Sequence, residues 1–392
     1  MNLVECASGL DRLVEKVPAW LRGAKVGLVA NPASVDSLYV HSVDRIAACT
    51  DLRLVAVFGP QHGARGDQQD NMIESEHAVD TRFGVPVYSL YSEHRKPTPE
   101  MLTGLDVLIC DLPDVGCRPY TFFSTMLLSM QACAEQGKRV VVLDRPNPIG
   151  GLAVEGNLLD PAFRSFIGMV RLPMRHGLTL GELAELVNRE QGIGAELNVM
   201  EMRGWRRELW QDETTVSWVM PSPNMPSVAT AAVYPGTVLI EGTNLSEGRG
   251  TCRPFELIGA PFLNGDAFAC RLNQQGLSGV CFRPAWFRPT FDKWQGELCG
   301  GVQVHVTDRD SFRPFRTGLA ILKAAMELGG ANFCWRQPPF EYEWQKLPID
   351  ILCGTDKIRI GLEEGERIAD LEATWKDEMQ DFLDLRQLYL RY

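Results

Sequence analysis

Five short runs constrain this chain most: Lys25–Ala30, Leu52–Phe58, Val85–Leu90, Asp106–Cys110 and Arg139–Leu143. Each is rich in Val, Ile and Leu and shows little polar alternation. A strand with one wet face alternates apolar and polar residues, whereas a run without alternation has both faces covered. Between the last two runs lies Thr121–Gly137, where Phe122, Met126, Met130, Cys133 and Ala134 recur at helical spacing and Gly137 is a stop signal. Strands joined by helical crossovers predict an α/β fold with an open, mostly parallel sheet.

The pattern continues for one more unit and then changes. Thr179 and Glu182 form a capping box before Leu183, Leu186 and Val187, and Leu197–Met202 reads as a strand. Beyond residue 210, Pro and Gly are dense through Pro221–Pro261, which reads as a long structured loop region. Asp266–Gln274 and Phe315–Leu328 are expected to be helical, and Gly279–Pro284 and Val302–Thr307 to be strands. Ile368–Leu388 reads as one charged amphipathic helix. A length of 392 residues suits two or three domains at about 150 residues each. The expected division is an α/β domain over 1–210 that carries most of the cleft residues, and an α+β auxiliary domain over 211–392 that closes the cleft.

Charge excludes several classes of partner. The net charge is −11 and no Lys/Arg-rich run occurs, so neither nucleic acid nor an anionic membrane is expected as a partner. No apolar run approaches the roughly 20 residues of a membrane span. Met1–Lys16 mixes acidic and basic residues without an apolar stretch, so no signal peptide is expected. The eleven cysteines are odd in number, scattered and free of C-x-x-C pairs. Cys110, Cys133 and Cys281 sit in apolar runs and read as small buried hydrophobes, which points to the cytoplasm. The six histidines, at 41, 62, 77, 94, 176 and 305, are too dispersed for a metal site. No dinucleotide fingerprint, phosphate loop, zinc-protease helix or nucleophile elbow appears, so no cofactor is expected.

Chemistry in open α/β sheets sits at the carboxyl ends of the strands. Asn31 follows the first run; Gln61, His62, Gly63 and Arg65 follow the second. Asp111, Asp114, Arg118 and Tyr120 follow the fourth, and Asp144, Arg145 and Asn147 follow the fifth. Loops of this kind converging on one rim describe a polar pocket, with Tyr88, Tyr91, Tyr120, Trp218 and Tyr234 as candidate aromatic walls. Amides and carboxylates bond hydroxyls, aromatic faces pack on sugar rings, and arginine clamps a carboxylate, so the ligand class is a polyhydroxylated, neutral or mildly anionic molecule. Glycoside cleavage needs a protonated carboxyl together with a second carboxylate or the substrate's own acetamido group. Glu74, Asp114, Asp144, Glu241 and Glu247 supply enough acids.

Several longer motifs resemble one known family. They are GLVANPASVD from Gly27, the Gly59–Gly66 loop, VYSLYSEHRKPTPEM from Val87, DVGCRPYT from Asp114, LDRPNPIGG from Leu143, MPSPNMP from Met220 and EGTNLSEGRGTCRPFELIGA from Glu241. Together they resemble the exo-β-N-acetylmuramidase family, and the resemblance runs on to the closing Tyr389–Tyr392. It implies a Rossmann-like N-terminal domain, an auxiliary C-terminal domain and an active site in the cleft between them. The implied reaction releases N-acetylmuramic acid (MurNAc) from the non-reducing end of a small saccharide or muropeptide, in cell-wall recycling. Arg118, Arg145 and Arg249 become candidates for holding the lactyl carboxylate that distinguishes MurNAc. Asn224, His176 and the Glu241, Asn244, Glu247 and Arg249 group become further substrate-binding candidates, alongside Asn31, Arg65, Tyr120, Asp144, Arg145 and Asn147.

One departure matters. The family's second-strand loop reads Pro-Glu-His-Gly, and that glutamate is its leading candidate for the acid, whereas this chain has Gln61. An amide cannot donate a proton as an acid does. The expected catalytic set is therefore Glu74, Gln61, His62 and Asp114. Either Glu74 faces the cleft and compensates, or Gln61 bonds the 2-acetamido group in a substrate-assisted route. A related glycosidase of other specificity and a non-catalytic sugar-binding homologue stay open as alternatives, as does a homodimer.

Overall fold

The computed structural model describes residues 3–63 and 77–392. The strands are β1 (Lys25–Ala30), β2 (Arg53–Gly59), β3 (Ala78–Asp80), β4 (Val85–Ser89), β5 (Val107–Asp111), β6 (Arg139–Leu143), β7 (Glu155–Leu158), β8 (Pro173–Arg175), β9 (Glu196–Met200), β10 (Leu257–Ala260), β11 (Val280–Phe287) and β12 (Cys299–Val306). The first helices are α1 (Gly9–Glu15), α2 (Ser42–Ala48), α3 (Phe122–Glu135) and α4 (Leu180–Glu190). They are followed by α5 (Val228–Thr237), α6 (Gly265–Asn273), α7 (Pro314–Gly329), α8 (Pro348–Cys353), α9 (Lys357–Glu363), α10 (Ile368–Ala373) and α11 (Lys376–Gln387).

The larger sheet has the order β3-β4-β2-β1-β5-β6-β9. Every pairing in it is parallel except β3 with β4. Counting only the parallel strands, the order is 3-2-1-4-5-6, that of a doubly wound dinucleotide-type sheet. Both faces are covered, as the missing alternation predicts. Val26, Leu28, Val107, Ile109 and Val141 pack towards α1 and α2 with Leu10, Leu13, Val43 and Ile46. Val29, Leu108, Cys110, Val140 and Val142 pack on the opposite face with Phe122, Met126, Met130, Leu183 and Val187 of α3 and α4. The capping box of α4 forms as expected, with Thr179 and Glu182 each bonding the other's backbone N–H.

The second sheet is antiparallel, β10-β12-β11, and a two-stranded pair joins β7 to β8. The apolar cluster that covers one face of the large sheet continues without a break through Phe268, Phe282, Val302, Phe315 and Leu319 of the C-terminal half. Residues 221–261 hold more regular structure than the Pro/Gly density suggests: α5, a 3-10 turn over Val238–Gly242, and β10. Pro235 lies inside α5, near its end, and Gly236 follows. That glycine has a packing role. A Cβ on Gly236 would meet the Pro314 carbonyl oxygen at 1.9 Å, and one on Gly318 would meet the Gly236 oxygen at 2.3 Å, so α5 and α7 cross at backbone contact.

Two further expectations need correction. The single helix over 368–388 is two, α10 and α11, because the Thr374 hydroxyl donates to the Leu371 carbonyl and Trp375 turns inward against Phe315. Cys281 is exposed rather than buried, since β11 has one solvent face and Cys281 lies on it; Cys110 and Cys133 are buried. None of the eleven cysteines forms a disulfide. Among the described residues no helix is long and apolar enough to cross a membrane.

Candidate active site

A pocket opens at the carboxyl edge of the large sheet, where the C-terminal half covers it. Gln61 and His62 enter it from the loop after β2, and Tyr120, Thr121 and Phe122 from the start of α3. Ser222 and Asn224 come from the segment before α5, Tyr234 from α5, and Glu241 and Arg249 from the stretch that follows. Phe255, Phe340 and Glu341 complete the C-terminal side. Polar groups thus share the pocket with an aromatic wall in which Tyr120 packs edge-on against Phe122 and Tyr234 against Phe255.

Four of the expected residues use their polar groups elsewhere. The Arg118 guanidinium donates to the carbonyls of Asn157, Leu172, Leu352 and Cys353, and burial lowers its proton affinity to about 10. Arg145 pairs bidentately with Asp111 at 2.6 and 2.9 Å and also reaches the Val35 carbonyl. Asp144 accepts from the Gly181 and Arg145 amides and from the Thr179 and Tyr392 hydroxyls. Burial raises its pKa to about 6, against those hydrogen bonds. Asn147 bridges the Leu178 carbonyl and the Ile149 amide.

Others tie loops to the rim. Asn31 Nδ2 donates to the Pro221 carbonyl at 2.7 Å, anchoring the segment that brings Ser222 and Asn224 to the pocket. Asn244 bridges the Asn332 carbonyl and the Cys334 amide. His176 accepts from the Leu178 amide through Nδ1, which leaves Nε2, 3.4 Å from Asp114 Oδ2, as the protonated nitrogen. Asp114 Oδ2 also accepts from the Gly116 amide, and Oδ1 has no hydrogen-bond partner among the described residues. Neither Asp114 nor His176 lines the pocket. Arg65 and Glu74 lie outside the described residues.

The charged end of the pocket is a buried cluster. Arg249 donates to Glu241 at 2.6 Å and to Glu247 at 3.1 Å, and Lys293 pairs with Glu247 at 2.8 Å. Burial alone would raise the Glu247 pKa, but Lys293 and Arg249 more than offset it and hold the carboxyl below its usual range. For Glu241 burial prevails over Arg249, and the pKa is raised. Of the three candidate arginines, Arg249 is the one that lines the pocket.

Sequence reasoning missed Glu341. It is 3% exposed, and its Oε2 accepts from the Tyr91 hydroxyl at 3.0 Å. The Gln61 amide donates to Tyr91 Oη at 3.2 Å and to the Glu341 carboxyl, while the Thr121 hydroxyl donates to Gln61 Oε1. Burial, reinforced by the charge of Glu241, pushes Glu341 up to about 7 against the hydrogen bonds from Tyr91 and Gln61. No motif surrounds it; the only local hint is an acid flanked by the aromatics Phe340 and Tyr342.

A doubly wound sheet whose carboxyl edge meets a second unit over a pocket of acids, amides, an arginine and aromatics defines an α/β protein with a polar ligand site at its strand ends. Comparison makes the class specific. The chain belongs to the exo-β-N-acetylmuramidase NamZ family: residues 26–229 match the family's N-terminal region and 232–392 its C-terminal region. It is 45% identical to the peptidoglycan β-N-acetylmuramidase NamZ of Bacillus subtilis (strain 168) over 98% of this chain and 91% of that one. Two crystal structures of DUF1343 family proteins from Bacteroides fragilis are also similar. The first has a TM-score of 0.91 at 35% identity and the second 0.78 at 27%, each covering 99% of both chains.

Proposed function

We propose that this chain is an exo-acting β-N-acetylmuramidase that hydrolyses the glycosidic bond of a non-reducing-end MurNAc residue in peptidoglycan-derived saccharides. The observation that carries the reading is the meeting of two buried acids in one pocket: Glu341, whose carboxyl accepts from the Tyr91 hydroxyl and whose pKa burial raises to about 7, and Glu241, ion-paired to Arg249 at 2.6 Å. Glycoside hydrolysis needs one carboxyl still protonated at working pH, with a second carboxylate or the substrate's own acetamido group to support the oxocarbenium-like centre. The B. subtilis relative, a peptidoglycan β-N-acetylmuramidase, agrees with this chemistry. Aromatic walls suit the faces of a pyranose ring, and Asn224 suits its hydroxyl or acetamido groups. Arg249 is the candidate for the lactyl carboxylate. The eleven free thiols fit a reducing compartment, the cytoplasm.

The test is product analysis on a MurNAc-terminated tetrasaccharide of alternating MurNAc and GlcNAc. Free MurNAc appearing first, with a trisaccharide left behind, is the expected result. Internal cleavage to disaccharides contradicts exo action. Binding without turnover would make the protein a sugar-binding homologue.

A further inference from the structure

The reading above requires a proton donor, and of the two residues that the loop after β2 brings to the pocket, Gln61 and His62, neither is a carboxylic acid. Resting on that reading, we infer that Glu341, delivered from the C-terminal half and held by Tyr91 and Gln61, is the acid that protonates the leaving sugar.

Three independent features of the molecule converge on this residue. Its carboxyl lines the same pocket as Glu241 and Arg249 and, among the described residues, receives no direct ion pair, whereas Glu241 and Glu247 are each bonded to a cation. A buried carboxyl with no cation bonded to it keeps its proton more readily than a paired one. Its hydrogen bonds fix the orientation of the carboxyl. With Oε2 accepting from the Tyr91 hydroxyl, and Gln61 bonded to both Tyr91 and the carboxyl, the group is held in one orientation.

The backbone supplies the third feature. Phe340 and Glu343 exchange both N–H···O bonds at 2.9 Å, and the two residues between them, Glu341 and Tyr342, have φ of 46° and 66°. Positive φ at both central positions is what a type I′ turn demands, and Asn and Gly are its usual occupants. A glutamate and a tyrosine there are strained, and strain of this kind persists where the surroundings over-determine it. Those surroundings are visible: Phe340 is buried, and the Arg95 guanidinium lies 3.3 Å from the Tyr342 ring centroid with Tyr91 edge-on at 5.8 Å. The turn presents the carboxyl to the pocket.

In the step assigned to it, the Glu341 carboxyl transfers its proton to the glycosidic oxygen as the bond from that oxygen to C1 breaks. The leaving sugar departs as an alcohol with the bonding electron pair, and positive charge develops at C1. Water then adds its oxygen to C1, and the proton it releases, passed through solvent, restores the carboxyl. One water is consumed and no other reactant is needed. Gln61 acts through Glu341 and Tyr91 and is a positioning residue.

The experiment compares two glycosides in wild type and Glu341→Gln. One is MurNAc-β-1,4-GlcNAc, whose leaving sugar needs a proton; the other is 2,4-dinitrophenyl β-MurNAc, whose leaving group does not. Loss of general-acid help should lower kcat on the disaccharide by roughly 10²–10⁴-fold and leave the dinitrophenyl glycoside within about tenfold. Equal losses on both, or no loss on the disaccharide, would overturn the assignment. A second readout needs no turnover: the ¹³C carboxyl resonance of Glu341, assigned by its absence in the variant, should titrate near 7 in wild type. Titration in the ordinary carboxylate range overturns the inference alone. Wild type inert on both glycosides overturns the inference together with the muramidase reading.

Discussion

Glu341 stores free energy in two forms, and both are measurable. Its left-handed backbone and that of Tyr342 cost about 1–3 kcal/mol each, and its buried carboxyl is easier to protonate folded than unfolded. A folded pKa raised above the unfolded value stabilises the protein fully below the unfolded pKa and loses that stabilisation as pH rises through the folded one. For Glu341 the window runs from the ordinary glutamate pKa of 4.5 to about 7. Glu155 and Asp144, raised to about 7 and about 6 by burial, act with the same sign. The unfolding free energy of the wild type should therefore fall between pH 5 and 8, and Glu341→Gln should remove about 3 kcal/mol of that fall, since one pKa unit is about 1.4 kcal/mol. Urea unfolding across this range checks it; parallel curves for the two proteins would contradict the raised pKa of this buried carboxyl. At this scale the pocket was half legible. Gln61, His62, Tyr120, Asn224, Glu241 and Arg249 sit in strand-end loops or long motifs and line the pocket. Glu341 gave no signal beyond its flanking aromatics, because a turn built from residues that disfavour positive φ is specified by its tertiary neighbours and not by its own chemistry.

At the scale of elements, several residues that look functional in the sequence are the fastenings that hold the loops. Polar residues at strand ends serve pockets and loop anchoring with the same side chains, so spacing could not separate the two uses. Arg118 ties Asn157 and Leu172, on β7 and before β8, to the end of α8 through four carbonyls. Arg118→Met removes those donors; the Leu172 and Cys353 carbonyls keep the Leu159 amide and Asn157 Nδ2 as donors, and each buried acceptor left unsatisfied costs about 1–3 kcal/mol. A destabilisation of about 3–5 kcal/mol is expected in urea unfolding. The KM of the folded fraction should be unchanged, because Arg118 does not line the pocket. A raised KM with unchanged stability would instead place its guanidinium on substrate. The strands of the large sheet were legible because residues covered on both faces have no polar alternation to confuse the pattern. Helix α5 was not, since Pro235 and Gly236 near its end read as breakers while the apolar contacts of Ala231, Ala232 and Val233 hold the helix.

At the scale of the whole molecule, the pocket exists because two sheets share one core. The apolar cluster runs from β1 and β5 through α5 and α7 to the C-terminal Tyr389, so the halves that supply Gln61 and Glu341 are packed against each other. Neither half holds the proposed chemistry alone: the large sheet brings Gln61, Tyr91 and Tyr120, and the C-terminal half brings Glu241, Arg249 and Glu341. The seam is also reinforced by polar contacts, with Arg386 donating to the Gly151 and Gly177 carbonyls and Tyr392 to Asp144. The central claim is that this shared pocket hydrolyses MurNAc glycosides with a carboxyl that ionises near neutrality. The most direct test is kcat/KM for MurNAc-β-1,4-GlcNAc between pH 4 and 10. The account predicts measurable turnover that declines above a pKa near 7 as Glu341 ionises. No turnover at any pH, or a rate sustained unchanged to pH 9, would contradict it.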